Sequence, residues 1–584
     1  MSDASQRWDQ RDTLAAVVVF LVALVPRLAA VPAMYLNTHA ARDLYRALWW
    51  LRGEYFPLAG PELFFGGRVP GNFYYAWLAI PMATGKGAWA AGAWIALWTS
   101  VAAALAYVAI RLVAGRGAAL VAALAYAVFP LAVVETMYLW NPSHMPLFSA
   151  LGLLGLALWL GRQRPPGLVL LLVSGLLLMQ IHLSGYVLLV VGLVTFAALW
   201  IARRGNGEGR RGARVAHFLL AIVLVAPFCA PWFWQQGAFA FLDLPLELEG
   251  DRKGGLFTTD INLTAFGTAA SAIFFRDDTQ THQQFLHFTR FFRELREGSP
   301  RLAALLDGPA TWLSALVFGG GLLLGIAGCA LGAFAPGNIG PRRLFLLATG
   351  LRPQAARPLC GALLLWIGTP LFVAAKLVGH DPESYNLGIP TRYFVIWYPV
   401  SMAVIGLGIA WAVGMVTSTL SRRTVLGVVA AALATHAGIC GLFIQRAITT
   451  GAPFDYLGSL MDPCKTLLTE ARLARILVRE HGATIETLRE RFLSDGNFID
   501  VRSEQFLDLG LLERGGDGPD GANPDHWFYL FDHTRMAEPP AMILQSGEVI
   551  ARHEVAQFTL LVIRRDDPDA IIWPQVVVTP QGFL

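Results

Sequence analysis

Charge is what this chain has least of. Only 15% of its 584 residues are Asp, Glu, Lys or Arg, against 55% that are hydrophobic; ordinary soluble domains carry about 25% charged residues. The net charge of +4 is small for this length, so no nucleic acid is expected as a partner. Five cysteines settle little: Cys229, Cys329, Cys360 and Cys440 fall in apolar runs, Cys464 stands alone, and neither a disulfide framework nor a CxxC metal site is available. A nucleotide-binding glycine fingerprint is also missing. The run "GGGLLLGIAG" from Gly319 follows no strand and sits inside an apolar stretch, so its Gly321 to Gly325 spacing reads as close helix packing. The activating group of any substrate is therefore expected not to be a nucleotide. There is no internal repeat, no low-complexity tract and no short apolar segment with a cleavage site. "TLAAVVVFLVALVPRLAAVPAMY" reads as a retained first span rather than a cleaved signal.

What the chain does have is long apolar runs. The mean hydropathy is +0.51, and crossing a bilayer takes about 20 apolar residues. Eleven such runs are read near 13–35, 88–112, 117–136, 142–161, 166–183, 184–202, 216–234, 311–334, 358–376, 394–416 and 424–446. The pair around "VSGLLLMQIHLSGYVLL" is short enough to be re-entrant instead, which leaves the count open by two. With the N-terminus inside, Arg111, Arg116, Arg162, Arg164, the run from Arg203, Arg342, Arg343, Arg352, Arg357, Arg422 and Arg423 all fall in inside loops, the positive-inside pattern. The loops 36–87 and 235–310, and everything after 446, then face outward. The expected fold is an all-α polytopic membrane body over 1–446 with a small extracytoplasmic α/β domain over 447–584.

In that second domain "CKTLLTEARLARILVREHG" has helical spacing, while "HWFYLF", "FTLLVIRR" and "IIWPQVVV" read as strands. "ERGGDGPDGANPD", from Glu513, reads as a flexible linker. With about 140 residues this domain can hold its own core. It carries no catalytic constellation, so it is expected to cover a site or bind an acceptor. In the 235–310 loop, Phe285, Phe288, Phe292 and Leu295 fall at helical spacing with Arg290, Arg293 and Arg296 on another face. Such a basic amphipathic helix lies in the headgroup plane, either as a doorway for an anionic lipid or simply resting on the bilayer.

Polar groups at membrane depth are costly and mark function by default. Here they gather at the corners expected to face outward. "THAARDLYRALWWLRGEYF" places Arg42, Asp43 and Arg46 among Leu44, Leu48, Trp49 and Trp50, an amphipathic helix at the membrane boundary. "GGRVPGNFYYAW" adds Arg68, Asn72, Tyr74 and Tyr75, and "VVETMYLWNPSHMP" adds Glu135, Asn141 and His144. "QIHLSG" brings Gln180 and His182. "KLVGHDPESYNLGIPTRYFVIWYP" brings Lys376, His380, Asp381, Glu383, Arg392 and Tyr393.

An outward Asp after the first span, a P-x-x-x-YY-x-W stretch, a WNP turn, a QIH turn and an RYF…YP opening a late span, in this order and sidedness, resemble the GT-C membrane glycosyltransferases. The resembling branch holds protein O-mannosyltransferases and the aminoarabinose transferase of lipid A, and the resemblance covers most of 13–446. It implies transfer of a sugar from a polyprenyl-phosphate carrier to an acceptor on the outer side; the acceptor is expected to be a lipid, another glycan or a protein, and the short loops and the Ala, Gly and Arg richness point to a bacterial inner membrane. Inverting transfer needs a base for the acceptor hydroxyl and cations for the departing phosphate. Asp43 suits the base, since burial raises a carboxyl pKa while Arg42 or Arg46 lowers it. Arg392 suits the phosphate, with Lys376, Arg68 and His380 as helpers. Arg42, Arg46, Glu135, Asn141, His144, His182, Tyr74, Tyr75 and Tyr393 are the candidate substrate contacts.

Each has a plainer reading. Asp43 could pair with Arg46 one turn on, Arg392 could be an interfacial anchor, Asn141 could cap the fourth span, and Tyr74 and Tyr75 could belong to an aromatic belt. The sequence also departs from its relatives: His39 and Ala40 stand where a second acidic residue is common, and the WNPSH turn holds none. A metal needs several converging oxygens, which "RDD" at 276–278 or "HDPE" at 380–383 could supply only by folding over the site, so no metal cofactor is expected. The rival functions are a transporter or lipid flippase, a non-catalytic scaffold, and a ligase or polymerase using a diphosphate-linked oligosaccharide.

Overall fold

The computed structural model describes residues 8–36, 38–61, 68–202, 208–236, 295–336, 340–377, 396–450, 465–484, 491–494, 525–533, 537–555 and 558–565. Helix α1 (Gln10–Ala29) starts at Asp9, whose side chain accepts from the Asp12 backbone while Asp12 reciprocates, a reciprocal cap. One face of α1, with Leu14, Val17, Leu21 and Val25, is exposed, as a lipid-facing helix requires. Its single buried carboxylate, Asp12, is claimed from two neighbouring helices. Tyr107 Oη donates to Oδ1 at 3.0 Å, Arg111 Nε at 2.8 Å and Arg116 Nε at 2.8 Å.

Those helices are α4 (Gly87–Val113) and α5 (Arg116–Val128), with α2 (Thr38–Arg52) and α3 (Phe73–Met82) preceding them. After the short α6 (Pro130–Val134) come α7 (Met145–Leu156), α8 (Pro166–Met179), α9 (Tyr186–Ala202) and α10 (Glu208–Gln236). The long helical stretch α11 (Pro300–Phe334) is followed by α12 (Gly340–Thr349), α13 (Pro353–Leu377), α14 (Tyr398–Met415) and α15 (Thr419–Thr450). Every expected span coincides with a helix. Among the described residues seven helices are long and apolar enough to cross a bilayer, while α5, α8 and α9 are apolar but shorter. At 14 residues α8 reaches about 21 Å, short of the hydrocarbon thickness, and it turns back into α9 through the QIH corner.

Small residues set the helix spacing. A Cβ on Gly325 or Gly408 would run into the backbone of Val404 or Gly321 respectively, so α11 and α14 touch main chain to main chain. Packing is the role of Gly321 and Gly325, as their spacing indicated. The arginine-bearing turns meet at the end of the bundle that holds Asp12. There Gly115 N–H donates to the Thr349 carbonyl at 2.7 Å and Arg162 Nε to the Leu112 carbonyl at 2.6 Å.

At the opposite end, strand β1 (Tyr35–Leu36) pairs antiparallel with β2 (Lys465–Thr466). Tyr35 also bridges in parallel to Tyr138, and their rings stack at 5.1 Å. The chain leaving the first span is thus held between the 135–144 turn and the start of the C-terminal region. Helix α16 (Leu467–Arg475) runs on as a π turn, Ile476–Glu480. Beyond it β3 (Phe492–Ser494), β4 (His526–Asp532), β5 (Glu548–Val555) and β6 (Phe558–Arg564) form a sheet in the order β3-β4-β6-β5, with β3 parallel to β4 and the other pairs antiparallel.

One sheet face, with Phe528, Leu530, Leu560 and Val562, joins the main core, and the other buries Tyr529, Phe531, Leu561 and Ile563. The expected strands "HWFYLF" and "FTLLVIRR" match β4 and β6. "EVIARHEV" was not expected as a strand, because its charges hide the alternation. "IIWPQVVV", the linker from Glu513 and the amphipathic segment at 285–292 lie outside the described residues.

Candidate active site

The site is built where α2 meets α3. Helix α2 buries Ala40, Ala41, Leu44 and Ala47 and leaves Trp49 and Leu51 exposed, an amphipathic pattern that turns one face to the bundle. Asp43 lies on the buried face, only 1% exposed.

Among the described residues between the two helices, Gly53 at φ 73° and Gly71 at φ 89° are left-handed. At Gly71 a side chain would also collide with Gln180. Gln180 Oε1 accepts the Phe73 backbone N–H at 3.2 Å, one of the orphan donors at the start of α3. The Asn72 N–H donates to the Phe228 carbonyl at 3.0 Å, and its Nδ2 to the Pro57 carbonyl at 3.0 Å. Three sequence-distant corners therefore fix the first turn of α3, and with it Tyr74 and Tyr75.

The consequence is a polar row inside the protein. Arg42 Nε donates to Asp43 Oδ1 at 3.1 Å, and Tyr75 Oη donates to the same oxygen at 3.3 Å. Arg46 Nη1 donates in turn to Tyr75 Oη at 3.1 Å. Both donors act on Oδ1; among the described residues none reaches Oδ2. Burial pushes the Asp43 carboxyl above the usual carboxylate range, opposed by Arg42 first, then by Arg46 and Tyr75. A base needs this balance, since a raised pKa gives proton affinity while the cations keep the ionised form accessible.

Tyr74 packs against Tyr75, rings 5.6 Å apart, and edge-on to His144 at 5.7 Å. Trp77 Nε1 donates to His144 Nδ1 at 3.1 Å, which assigns the imidazole proton to Nε2. Among the described residues neither the buried His144 Nε2 nor the buried Tyr74 hydroxyl has a hydrogen-bond partner. A buried donor left open is costly; Tyr74 is an electrostatic neighbour of Asp43, and His144 packs on Tyr74.

The structure corrects several plainer readings. Tyr74 and Tyr75 are 0% and 1% exposed, so they are not an interfacial belt; the Gly71 turn draws them inward. Asn141 does not cap a helix, because Trp140 holds that position without a side-chain bond and Asn141 Nδ2 donates to the Ile181 carbonyl at 2.7 Å, joining the WNP and QIH turns. The carboxylate's adjacent guanidinium, Arg42, rather than Arg46, bonds it directly. His182 Nδ1 lies 2.9 Å from Ser184 Oγ and accepts the Ser184 N–H at 3.1 Å, an arrangement that shapes its own turn. Arg68 is half-buried beside Val69, whose carbonyl accepts from the Gly60 N–H.

Glu135 begins a 3₁₀ turn (Glu135–Met137) and Lys376 lies in the last turn of α13, with both side chains outside the described set. His380, Arg392 and Tyr393 lie outside the described residues, as do RDD and HDPE. Among the described residues no three His, Cys, Asp or Glu side chains converge as a metal site. Trp77 and Gly71 are the contributors that sequence reasoning missed. The positive φ at Gly71 was signalled only by the P-G dipeptide before Asn72.

A multi-pass helical bundle with an amphipathic helix after the first span, an aspartate buried on it and a small α/β unit at the same end has a counterpart among solved membrane-protein structures. The chain is similar over 95% of its length to 98% of apo ArnT from Cupriavidus metallidurans, with a TM-score of 0.50 and 12% identity. Weaker likenesses are to ArnT from the same organism bound to undecaprenyl phosphate, at TM-score 0.43 and 15% identity over 94% of this chain and 97% of that one, and to the Archaeoglobus fulgidus oligosaccharyltransferase tethered to an acceptor peptide, at 0.46 and 12% over 86% and 63%. No protein-family model matches the sequence, and no curated protein sequence matches it. At such identities the likeness establishes the fold, and function rests on the site.

Proposed function

We propose that this protein is an integral-membrane inverting glycosyltransferase that moves a sugar from a polyprenyl-phosphate carrier to a cell-envelope acceptor, a lipid, another glycan or a protein. The observation that carries this reading is Asp43: a carboxylate 1% exposed, oriented through one oxygen by Arg42 and Tyr75, with its other oxygen open for a proton. The acceptor hydroxyl attacks the anomeric carbon as its proton passes to Asp43 Oδ2. The new C–O bond forms from the face opposite the departing phosphate oxygen, whose bond to the anomeric carbon breaks. The negative charge of the released polyprenyl phosphate is met by cations, the role assigned to Arg392, with Lys376, Arg68 and His380 beside it. No metal is invoked for this step.

Sidedness follows from charge. The arginine-bearing turns gather at the end opposite Asp43, and short loops rich in Arg stay cytoplasmic, so Asp43 faces the outer side of what we take to be a bacterial inner membrane. The C-terminal region meets the bundle at Tyr35 and Leu36, close in sequence to Asp43, which suits a part that covers the site or receives the acceptor.

The test is donor consumption by the reconstituted protein. With a polyprenyl-phosphate monosaccharide and an envelope extract as acceptor, release of free polyprenyl phosphate is expected. Movement of intact donor across the bilayer without cleavage would mark a flippase, and consumption of only diphosphate-linked oligosaccharide would mark a ligase; either result overturns the reading.

A further inference from the structure

Apart from the Asp43 row, the C-terminal region brings imidazoles together from three separate elements. His481 closes the π turn after α16, where its N–H donates to the Ile476 carbonyl at 3.2 Å and the Ala483 N–H donates to the Leu477 carbonyl at 2.9 Å. Gly482 adopts φ 61° between them. This tight reversal aims the His481 ring at the sheet. His553 comes from β5, opposite Leu560, on the sheet face that α16 covers. The two rings meet head-on, Nε2 to Nε2 at 2.8 Å, with planes crossed at 71°. Behind His553, on its Nδ1 side, the Glu480 carboxylate lies 3.9 Å away. His526, from β4, stands 6.3 Å ring to ring from His481, with its Nδ1 buried and unpartnered.

Two imidazole nitrogens converging from elements 72 residues apart, with a carboxylate behind one ring, form the arrangement that metal-binding histidines use. In such sites an outer carboxylate bonded to Nδ1–H leaves the Nε2 lone pair for the ion, and Glu480 stands on that side of His553. Without an ion, one Nε2–H must donate to the other nitrogen. With an ion bound at 2.0–2.1 Å in tetrahedral geometry the two nitrogens would stand about 3.3–3.4 Å apart, an opening of about half an ångström. The flanking ion pair of Arg552 and Glu554 belongs to the alternate positions of β5 and points to the other face.

We propose that His481 and His553 form a two-imidazole clamp for a borderline divalent cation such as zinc, completed by solvent or by Glu480 or His526 turning inward. Imidazole pairs favour ions of this class over magnesium or calcium, which take oxygen. The clamp fastens the π turn to β5. Since α16 continues directly from β2, which pairs with Tyr35 and Leu36, the ion would stiffen the seat of the C-terminal sheet on the bundle. This site is separate from the proposed chemistry and does not depend on it.

The test uses the full chain in detergent, purified through a tag without histidine and stripped with a chelator. Titration calorimetry with zinc chloride and thermal unfolding with and without zinc are the readouts. The wild type is expected to bind one equivalent that His481→Ala and His553→Ala lose or bind at least tenfold more weakly. Zinc is expected to raise the unfolding temperature of the wild type alone. His533→Ala, whose imidazole bonds Thr559 instead, keeps the equivalent. If either alanine variant fails to fold, His481→Asn and His553→Gln replace it, each retaining a hydrogen-bonding group. No uptake by the wild type, or unchanged affinity and stoichiometry in both variants, overturns the clamp and leaves an N–H···N hydrogen bond.

Discussion

Replacing Tyr75 with phenylalanine removes one oxygen and tests how Asp43 is held. In the wild type that hydroxyl donates to Asp43 Oδ1 at 3.3 Å and accepts from Arg46 Nη1 at 3.1 Å, so it relays a guanidinium to the carboxylate. A hydrogen bond to a charged group contributes about 1.5–3 kcal/mol. If that energy orients the base in the transition state, its loss corresponds to a fall in kcat of about ten- to a hundredfold. The ring stays, so packing against Tyr74 is conserved and the fold is expected to hold.

The pH profile adds a second readout. Asp43 must be ionised to accept a proton, so the rate falls as pH drops through its folded pKa, which burial has raised. Tyr75 is among the groups that lower that pKa, so Tyr75→Phe is expected to move the acidic limb to higher pH as well as lower the plateau. Steady-state transfer from a polyprenyl-phosphate sugar, measured across pH, reads both. An unchanged plateau with an unmoved acidic limb would refute the relay.

Other outcomes follow from the same contacts. Gly71→Ala forces a left-handed residue to carry a side chain, at about 1–2 kcal/mol, and pushes Gln180 off the Phe73 N–H, at about 1–3 kcal/mol more; thermal unfolding should report the sum together with lost transfer, and wild-type behaviour would sink this view of the turn. Asp12→Asn breaks a buried ion cluster at the far end of the bundle, where Arg116 is 32% exposed, so the loss belongs at the low end of the range for such pairs, about 3 kcal/mol. That variant is expected to unfold earlier yet keep its catalytic constants while folded, and a selective loss of kcat would contradict it. Trp77→Phe frees the His144 tautomer without emptying the core; a raised KM with little change in kcat is expected, and unaltered kinetics would remove His144 from the site.

The bundle was legible because a bilayer permits few alternatives. Each apolar run had to become a helix, and the arginines marked one end of the bundle. The amphipathic helix around Asp43 was readable for the same reason, since its charges and aromatics share a short stretch. What the sequence hid were pairings between distant corners. Asn141 beside Pro142 looks like a cap until the Ile181 carbonyl is seen next to it, and Tyr74 and Tyr75 look interfacial until Gly71 and Gln180 turn them inward. Asp12 sits in the first turn of an apolar helix with nothing near it in sequence to mark it; only the return of α4 and α5 shows it to be the anchor of three helices. Strand β5 was missed because Glu548, Arg552 and Glu554 interrupt its pattern, and the His481–His553 meeting needed the fold to join two elements far apart in the chain.

Asp43→Asn tests the central claim most directly. The change keeps shape and hydrogen bonding but removes the proton acceptor, and general-base catalysis contributes about a hundred- to ten-thousandfold. Because folding holds the Asp43 pKa above its unfolded value, the carboxyl favours the folded state fully only below its unfolded pKa and loses that contribution as pH rises through the folded pKa. The asparagine variant is therefore expected to be at least as stable as wild type at pH 7. Measured side by side in nanodiscs, it should bind polyprenyl phosphate with wild-type affinity while transfer falls by at least a hundredfold. Transfer within a few-fold of wild type would contradict the assignment of Asp43 as the base.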